Sequence, residues 1–226
     1  MSDAAGNYEA VGPVAEPQAP GCSLSVLPPL AVIIFGAILL ALALKGATAD
    51  AGEQQAGNMA LPVSRIFTPE VRYWSNSIEH WAQAAGMDSN LVAAVMQIES
   101  CGDPTAGSSA GAIGLFQVMP YHFLASENSF SPDTNAARGL GYLRRSLEAA
   151  DGDVALALAG YNGGLGVISS PEWEWPVETQ RYSYWGTGIY ADASTGASDS
   201  PRLAEWLAAG GEALCQSASE RLQIED

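Results

Sequence analysis

Residues 89–100 read SNLVAAVMQIES, and residues 101–120 continue CGDPTAGSSAGAIGLFQVMP. The first string predicts a helix. Asp88 or Ser89 supplies an N-cap oxygen, Leu91, Val92, Val95, Met96 and Ile98 carry the apolar positions, and Gly102 follows the end. Glu99 falls three residues after Met96 and four after Val95, so it shares their face. A carboxyl on an apolar stripe loses hydration, and in the last turn it meets the negative end of the helix dipole. Both effects raise its pKa. A glutamic acid held protonated near neutral pH is what a general acid requires. Taken alone, the helix also allows a marginal acid whose carboxylate swings into water. The second string is too rich in Gly, Ser and Ala to extend the helix, and Ala112 to Met119 reads as a short strand or a loop–helix junction.

The surrounding chain is helical in pattern. Thr68-Pro69-Glu70 reads as a helix start, followed by a stripe of Val71, Trp74, Ile78, Trp81, Ala82 and Ala85 that Gly86 ends. A third helix is expected from Asp133 to about Ala150, with Ala136, Leu140, Leu143 and Leu147 inward. A short apolar one follows from Asp153 to Tyr161, closed by Gly163-Gly164. Pro176 opens a helix bearing Tyr182, Trp185 and Ile189, and Ser200-Pro201 opens a last one with Leu203, Trp206, Leu207 and Leu214. Strand signals are almost absent, so the fold class is mostly α, or α+β with minimal strand.

Charge separates the chain into parts. Nine Lys and Arg against 25 Asp and Glu give a formal charge of −16, with one lysine, Lys45. The scattered arginines argue against nucleic-acid binding, which needs clustered cations. No charge occurs between Glu16 and Lys45, and within that gap residues 30–44 read LAVIIFGAILLALAL. Counted as 24–44, the segment matches the roughly 20 residues that cross a bilayer and lacks the polar face of a core helix. The expected organisation is a disordered tail 1–23, a transmembrane helix or signal anchor 24–44, a linker 45–67, a mostly α domain 68–191 and a C-terminal helical extension 192–226. Ala47-Thr48-Ala49 has the form of a signal-peptidase site, so secretion after cleavage is the alternative to an anchor. Cys101 and Cys215 either pair in an oxidising compartment or remain separate buried thiols.

Four stretches then fall in order: Glu99-Ser100; Gly114-Leu115-Phe116-Gln117; Gly160-Tyr161-Asn162; and Glu178-Thr179 with Tyr182. Together they resemble the soluble lytic transglycosylase (SLT) domain, a lysozyme-like family that cleaves peptidoglycan. Phe116 stands where the family has Met, and Gly160 where it has Ala. The resemblance covers roughly Ser89 to Ala191. It implies a lysozyme-like fold in which Glu99 protonates the bond between N-acetylmuramic acid and N-acetylglucosamine. The same residue, now a base, then takes a proton from the muramoyl 6-hydroxyl and a 1,6-anhydro ring closes.

The resemblance also implies that Ser100, Gln117, Tyr161, Asn162 and Tyr182 meet the substrate. Gln117 and Asn162 offer a donor and an acceptor each, suited to sugar hydroxyl and acetamido groups or equally to loop backbone. Ser100 is expected to bond Glu99 or the substrate, or to serve as a local cap. Tyr161 and Tyr182 would press on the sugar or hold Glu99, with core packing the alternative for Tyr161. Phe116 is expected on the cleft wall, and no second carboxylate stands out. His80 and His122 lack ligand partners at suitable spacing, so neither a metal nor a cofactor is expected. Trp173 and Trp175 would either stack on sugars or plug the domain.

The partners expected are peptidoglycan strands, the membrane through the N-terminal helix, and proteins of an envelope or secretion machine. The catalytic domain would lie on the cell-wall side. A hydrolytic muramidase of the same fold and a non-catalytic glycan-binding component are the competing functions.

Overall fold

The structure, a computed structural model, describes residues 62–224. The tail 1–23, the apolar segment 24–44 and most of the linker lie outside the described residues. The end of the expected linker belongs to the domain: Ile66 and Phe67 are buried, and the Ser64 amide donates to Asn90 Oδ1 at 2.8 Å. No helix among the described residues is long and apolar enough to cross a membrane.

Eight α-helices carry this region: α1 (Pro69–Tyr73), α2 (Ser75–Ala85), α3 (Ser89–Ser100), α4 (Pro132–Ala149), α5 (Val154–Gly163), α6 (Val177–Ser194), α7 (Pro201–Trp206) and α8 (Glu212–Leu222). Two expected single helices are each broken. Trp74, outside helical geometry, separates α1 from α2, and its indole donates to the Gly102 carbonyl at 2.9 Å. A turn over Leu207–Gly211 separates α7 from α8, with Gly210 at φ 126°, a conformation that favours glycine. Thr68 does not cap α1 with its side chain; the hydroxyl turns to Gln97 Oε1 instead. Of the two readings of Ala112 to Met119, the loop–helix junction is the one seen: among the described residues Gly107, Ile113 and Val118 form only isolated bridges, and a one-turn helix begins at Pro120.

Helix α3 runs through the middle of the domain, packed against α2, α6, α1 and α8. Asp88 caps it by accepting the Asn90 amide at 2.7 Å. It is buried on nearly every side, so its polar residues must be satisfied internally. Gln97 Oε1 accepts from the Thr68 amide and hydroxyl, and Asn90 Oδ1 from Ser64. Helices α4, α5 and α6 pack in succession against the other side of the site.

The expected boundary at residue 191 falls inside α6, and the segment beyond it is not a separate extension. Leu203, Trp206, Cys215 and Ala218 share one core with α3. Cys215 is bonded to Cys101, which ties α8 to the end of α3 across 114 residues.

Candidate active site

Glu99 stands in the last turn of α3, partly exposed to a cleft of about 960 Å³. Its carboxyl pKa is raised to about 8. Burial is the main cause, the neighbouring Glu178 charge adds to it, and the Tyr182 phenol partly offsets it. The direction follows from desolvation: a charge here would lose water without gaining a cation.

The loop before the cleft is built on a buried amide that the sequence reading missed. Asn135, on α4, accepts the Phe116 amide at 2.9 Å and donates to the Ile113 carbonyl at 2.8 Å and the Ser129 carbonyl at 3.1 Å. Gly114 lies against it at φ 73°, and a Cβ there would stand 2.6 Å from Asn135 Nδ2. Conformation and space both demand glycine. Asn135 carried a signal only in being a polar residue beside the inward position Ala136.

Phe116 does not form the cleft wall. It is fully buried, packed edge-on to Trp81 and filling the space above Gly139, where a Cβ would come within 2.5 Å of its own. An aromatic ring fits here because α4 offers no side chain. Gln117 follows at φ 43° and does line the cleft. Its Nε2 donates to the Ala106 and Gly114 carbonyls, while among the described residues nothing donates to its Oε1.

Ser100 is placed differently from Glu99. It is fully buried, donating to the Leu115 carbonyl at 2.8 Å and accepting the Gly102 amide at 3.1 Å. It fastens the loop to the helix and is not among the residues that line the cleft. Tyr161 lines the cleft, but its hydroxyl donates to the Phe116 carbonyl at 2.7 Å. Tyr182, stacked on Tyr161 at 6.4 Å, is the phenol beside Glu99. Its buried hydroxyl makes no hydrogen bond of good geometry among the described residues, so it is available to a ligand or to the carboxyl. Burial and the Glu99 charge hold both phenols well above their ordinary pKa.

Asn162 lines the cleft with Oδ1 held by the Thr179 hydroxyl at 2.8 Å, which leaves its amide group as the outward donor. Glu178, in the first turn of α6, also lines the cleft. It belongs to the fourth motif stretch, but nothing local marked it as a second carboxylate beside Glu99: 79 residues separate the two, and packing of α6 on α3 joins them. Asp103 instead turns to Thr105 and is buried. The two tryptophans part: Trp175 is buried, donating to the Val167 and Ser170 carbonyls, and Trp173 is exposed. Among the described residues one cluster has ligand types in reach of each other, Glu70 with Cys101 and Cys215, but its sulfurs are bonded to one another.

The cleft thus presents a protonated carboxylic acid, a second carboxylate, two amide side chains and facing phenols on an apolar floor. That set suits proton transfer to a polyhydroxylated ligand. Residues 76–174 match the family model described as the Transglycosylase SLT domain. The match includes Glu99, the glycine-rich loop and Asn162, and stops just before Glu178 and Tyr182. Over 111 residues the chain is 35% identical to a protein named "Transglycosylase" from Enterobacteria phage PRD1, covering 48% of this chain and 40% of that relative. The chain therefore spans well under two thirds of the length of that curated relative. Among solved structures, an inactive mutant of the lytic transglycosylase Slt from Pseudomonas aeruginosa aligns with a TM-score of 0.45 and 22% identity, over 54% of this chain and 24% of that one.

Proposed function

We propose that this chain is a peptidoglycan lytic transglycosylase with a lysozyme-like catalytic domain, and that Glu99 is its single acid and base. The observation that carries the reading is a carboxyl with a pKa raised to about 8 by burial, facing a cleft of about 960 Å³. The similarity of residues 76–174 to the SLT domain supplies the substrate class.

Glu99 donates its proton to the oxygen between N-acetylmuramic acid and N-acetylglucosamine as the C–O bond on the muramoyl anomeric carbon breaks. The muramoyl acetamido oxygen stabilises that carbon. The Glu99 carboxylate then accepts the 6-hydroxyl proton while O6 bonds to the anomeric carbon. Each step leaves Glu99 in the state the next one needs, and no water is consumed. Gln117 Oε1, the Asn162 amide and the Tyr182 hydroxyl orient the sugar.

Glu178 gives the hydrolytic alternative its specific support, since two carboxylates in one cleft are the usual requirement of glycoside hydrolysis. Mass spectrometry of digested sacculi separates the two. Release of 1,6-anhydromuropeptides, lost in Glu99→Gln and kept in Glu178→Gln, supports the lyase. Reducing-end products that need both acids support the hydrolase. Intact sacculi that still bind the protein would point to the glycan-binding role.

Residues 24–44 belong to the same proposal as a membrane anchor holding the domain on the wall side. The apolar composition of that segment supports it, and carbonate extraction of the full chain tests it.

A further inference from the structure

Five rings lead from the catalytic acid to open solvent. Tyr182 stacks on Tyr161 at 6.4 Å, Tyr161 meets Tyr142 at 5.7 Å, Tyr142 meets His122 at 5.1 Å, and His122 meets Tyr121 at 4.5 Å. All five line the cleft. The inner end, Tyr182, is buried beside Glu99, whereas Tyr121 is 75% exposed.

A single exposed tyrosine is ordinary on a protein surface. Tyr121 differs in being braced. It sits in a one-turn helix, Pro120–His122, whose proline fixes the backbone. His122 supports its ring, and Tyr142 supports His122. Tyr142 in turn carries the Arg145 guanidinium 5.0 Å from its ring centre. Burial, with the Arg145 charge, lowers the His122 pKa, so the brace is a neutral ring at neutral pH. None of Tyr121, His122 and Tyr142 belongs to the four motif stretches, so the catalytic step described above does not use them. The result is a solvent-facing aromatic ring at the far end of a row that starts at the acid.

We propose that Tyr121 is an outer saccharide subsite, on which the apolar C–H face of a glycan sugar ring stacks several rings away from the bond being cleaved. The inference rests on the reading of the cleft as a glycan site and adds to it a preference for long strands. A pyranose with equatorial hydroxyl groups presents C–H bonds on each face. These pair with the electron-rich face of an aromatic ring, and a tyrosine, with two side-chain torsions, loses little entropy on binding.

The test compares the full chain with Tyr121→Ala and Tyr121→Phe on two substrates: purified long glycan strands, and the shortest disaccharide-repeat oligomer that the wild type cleaves. Tyr121→Ala should lose roughly tenfold in kcat/KM on long strands, through KM, and less than twofold on the short oligomer. Tyr121→Phe should match the wild type on both. Equal kinetics on long strands, or equal losses on both substrates, would overturn the subsite while leaving the transglycosylase reading intact. A wild type inactive on every glycan would instead overturn that reading. In that event NMR titration of Glu99→Gln with chitohexaose and chitotriose decides the subsite: Tyr121 ring resonances shifted by the hexamer alone support it, and unshifted resonances overturn it.

Discussion

Glu99 is one of 25 acids in the chain, and it is set apart by where α3 ends. A general acid must be protonated to begin its cycle, so kcat/KM should hold through neutral pH and fall above about pH 8, where Glu99 ionises in the free protein. Rates on soluble glycan strands across a pH series check this. The same shift links to stability. Between its ordinary value of 4.5 and about 8, the folded chain holds a proton that the unfolded chain has released. Stability from this group is therefore complete below about 4.5 and lost as pH rises to about 8. Glu99→Gln cannot ionise. Its stability relative to wild type should improve from about pH 5 to pH 9 by roughly 2–4 kcal/mol, less than the full shift because Glu99 borders an open cleft. Denaturant melts at both pH values measure it, and a constant difference would contradict the raised pKa.

At the level of elements, the site depends on contacts between α4, α5 and the glycine-rich loop. Asn135 ties α4 to the Phe116 amide and the Ile113 carbonyl of that loop and to the Ser129 carbonyl just before α4, and nothing in the chain between them announces the link. Asn135→Ala would leave a buried amide and carbonyls unpaired, costing about 2–4 kcal/mol and disordering Gln117, with a matching fall in activity. Thermal melts and glycan-strand rates check the two effects together. Gly160 on α5 is the place where this chain departs from the family's Ala. A Cβ there would meet Ile168 Cδ1 at 2.6 Å and crowd Ser146, whose hydroxyl bonds the Ala157 carbonyl. Gly160→Ala should therefore destabilise by about 1–3 kcal/mol even though alanine is the better helix former, and a melting-temperature rise would refute the packing account.

Over the whole molecule, the Cys101–Cys215 bond closes a loop of 114 residues that contains most of the cleft. In the chain-entropy account, losing such a cross-link costs about 4–5 kcal/mol. Cys101→Ser with Cys215→Ser should melt well below wild type, and wild type should approach it under reductant. The net charge of −16 offers no long-range attraction to an anionic wall. A tether at residues 24–44 would supply local concentration in its place. A chain lacking residues 1–50 should then match the full chain on soluble strands and fall behind it in vivo; equal clearance of cell walls would remove the tether's role.

The sequence alone determined the helical character, because apolar spacing, capping acids and terminal glycines act within a few residues of one another. Its local neighbours Val95 and Met96 made Glu99 a candidate, and the resemblance carried by the four ordered stretches chose it over a marginal acid that swings into water. Asp88 as a cap and Gly86 as a helix end, read from adjacent residues, appear where the chain has them. The breaks at Trp74 and Gly210 were not legible, since each is set by a partner far along the chain or by a turn that the apolar stripe runs through. Only tertiary packing decided that Ser100 and Phe116 face the interior, that Tyr182 is the phenol beside Glu99 while Tyr161 bonds the Phe116 carbonyl, that Glu178 joins Glu99, and that α8 closes on α3. A side chain's direction depends on which surface fills the space opposite it. Here that space is filled by residues from 15 to 118 positions away, beyond the reach of any local pattern.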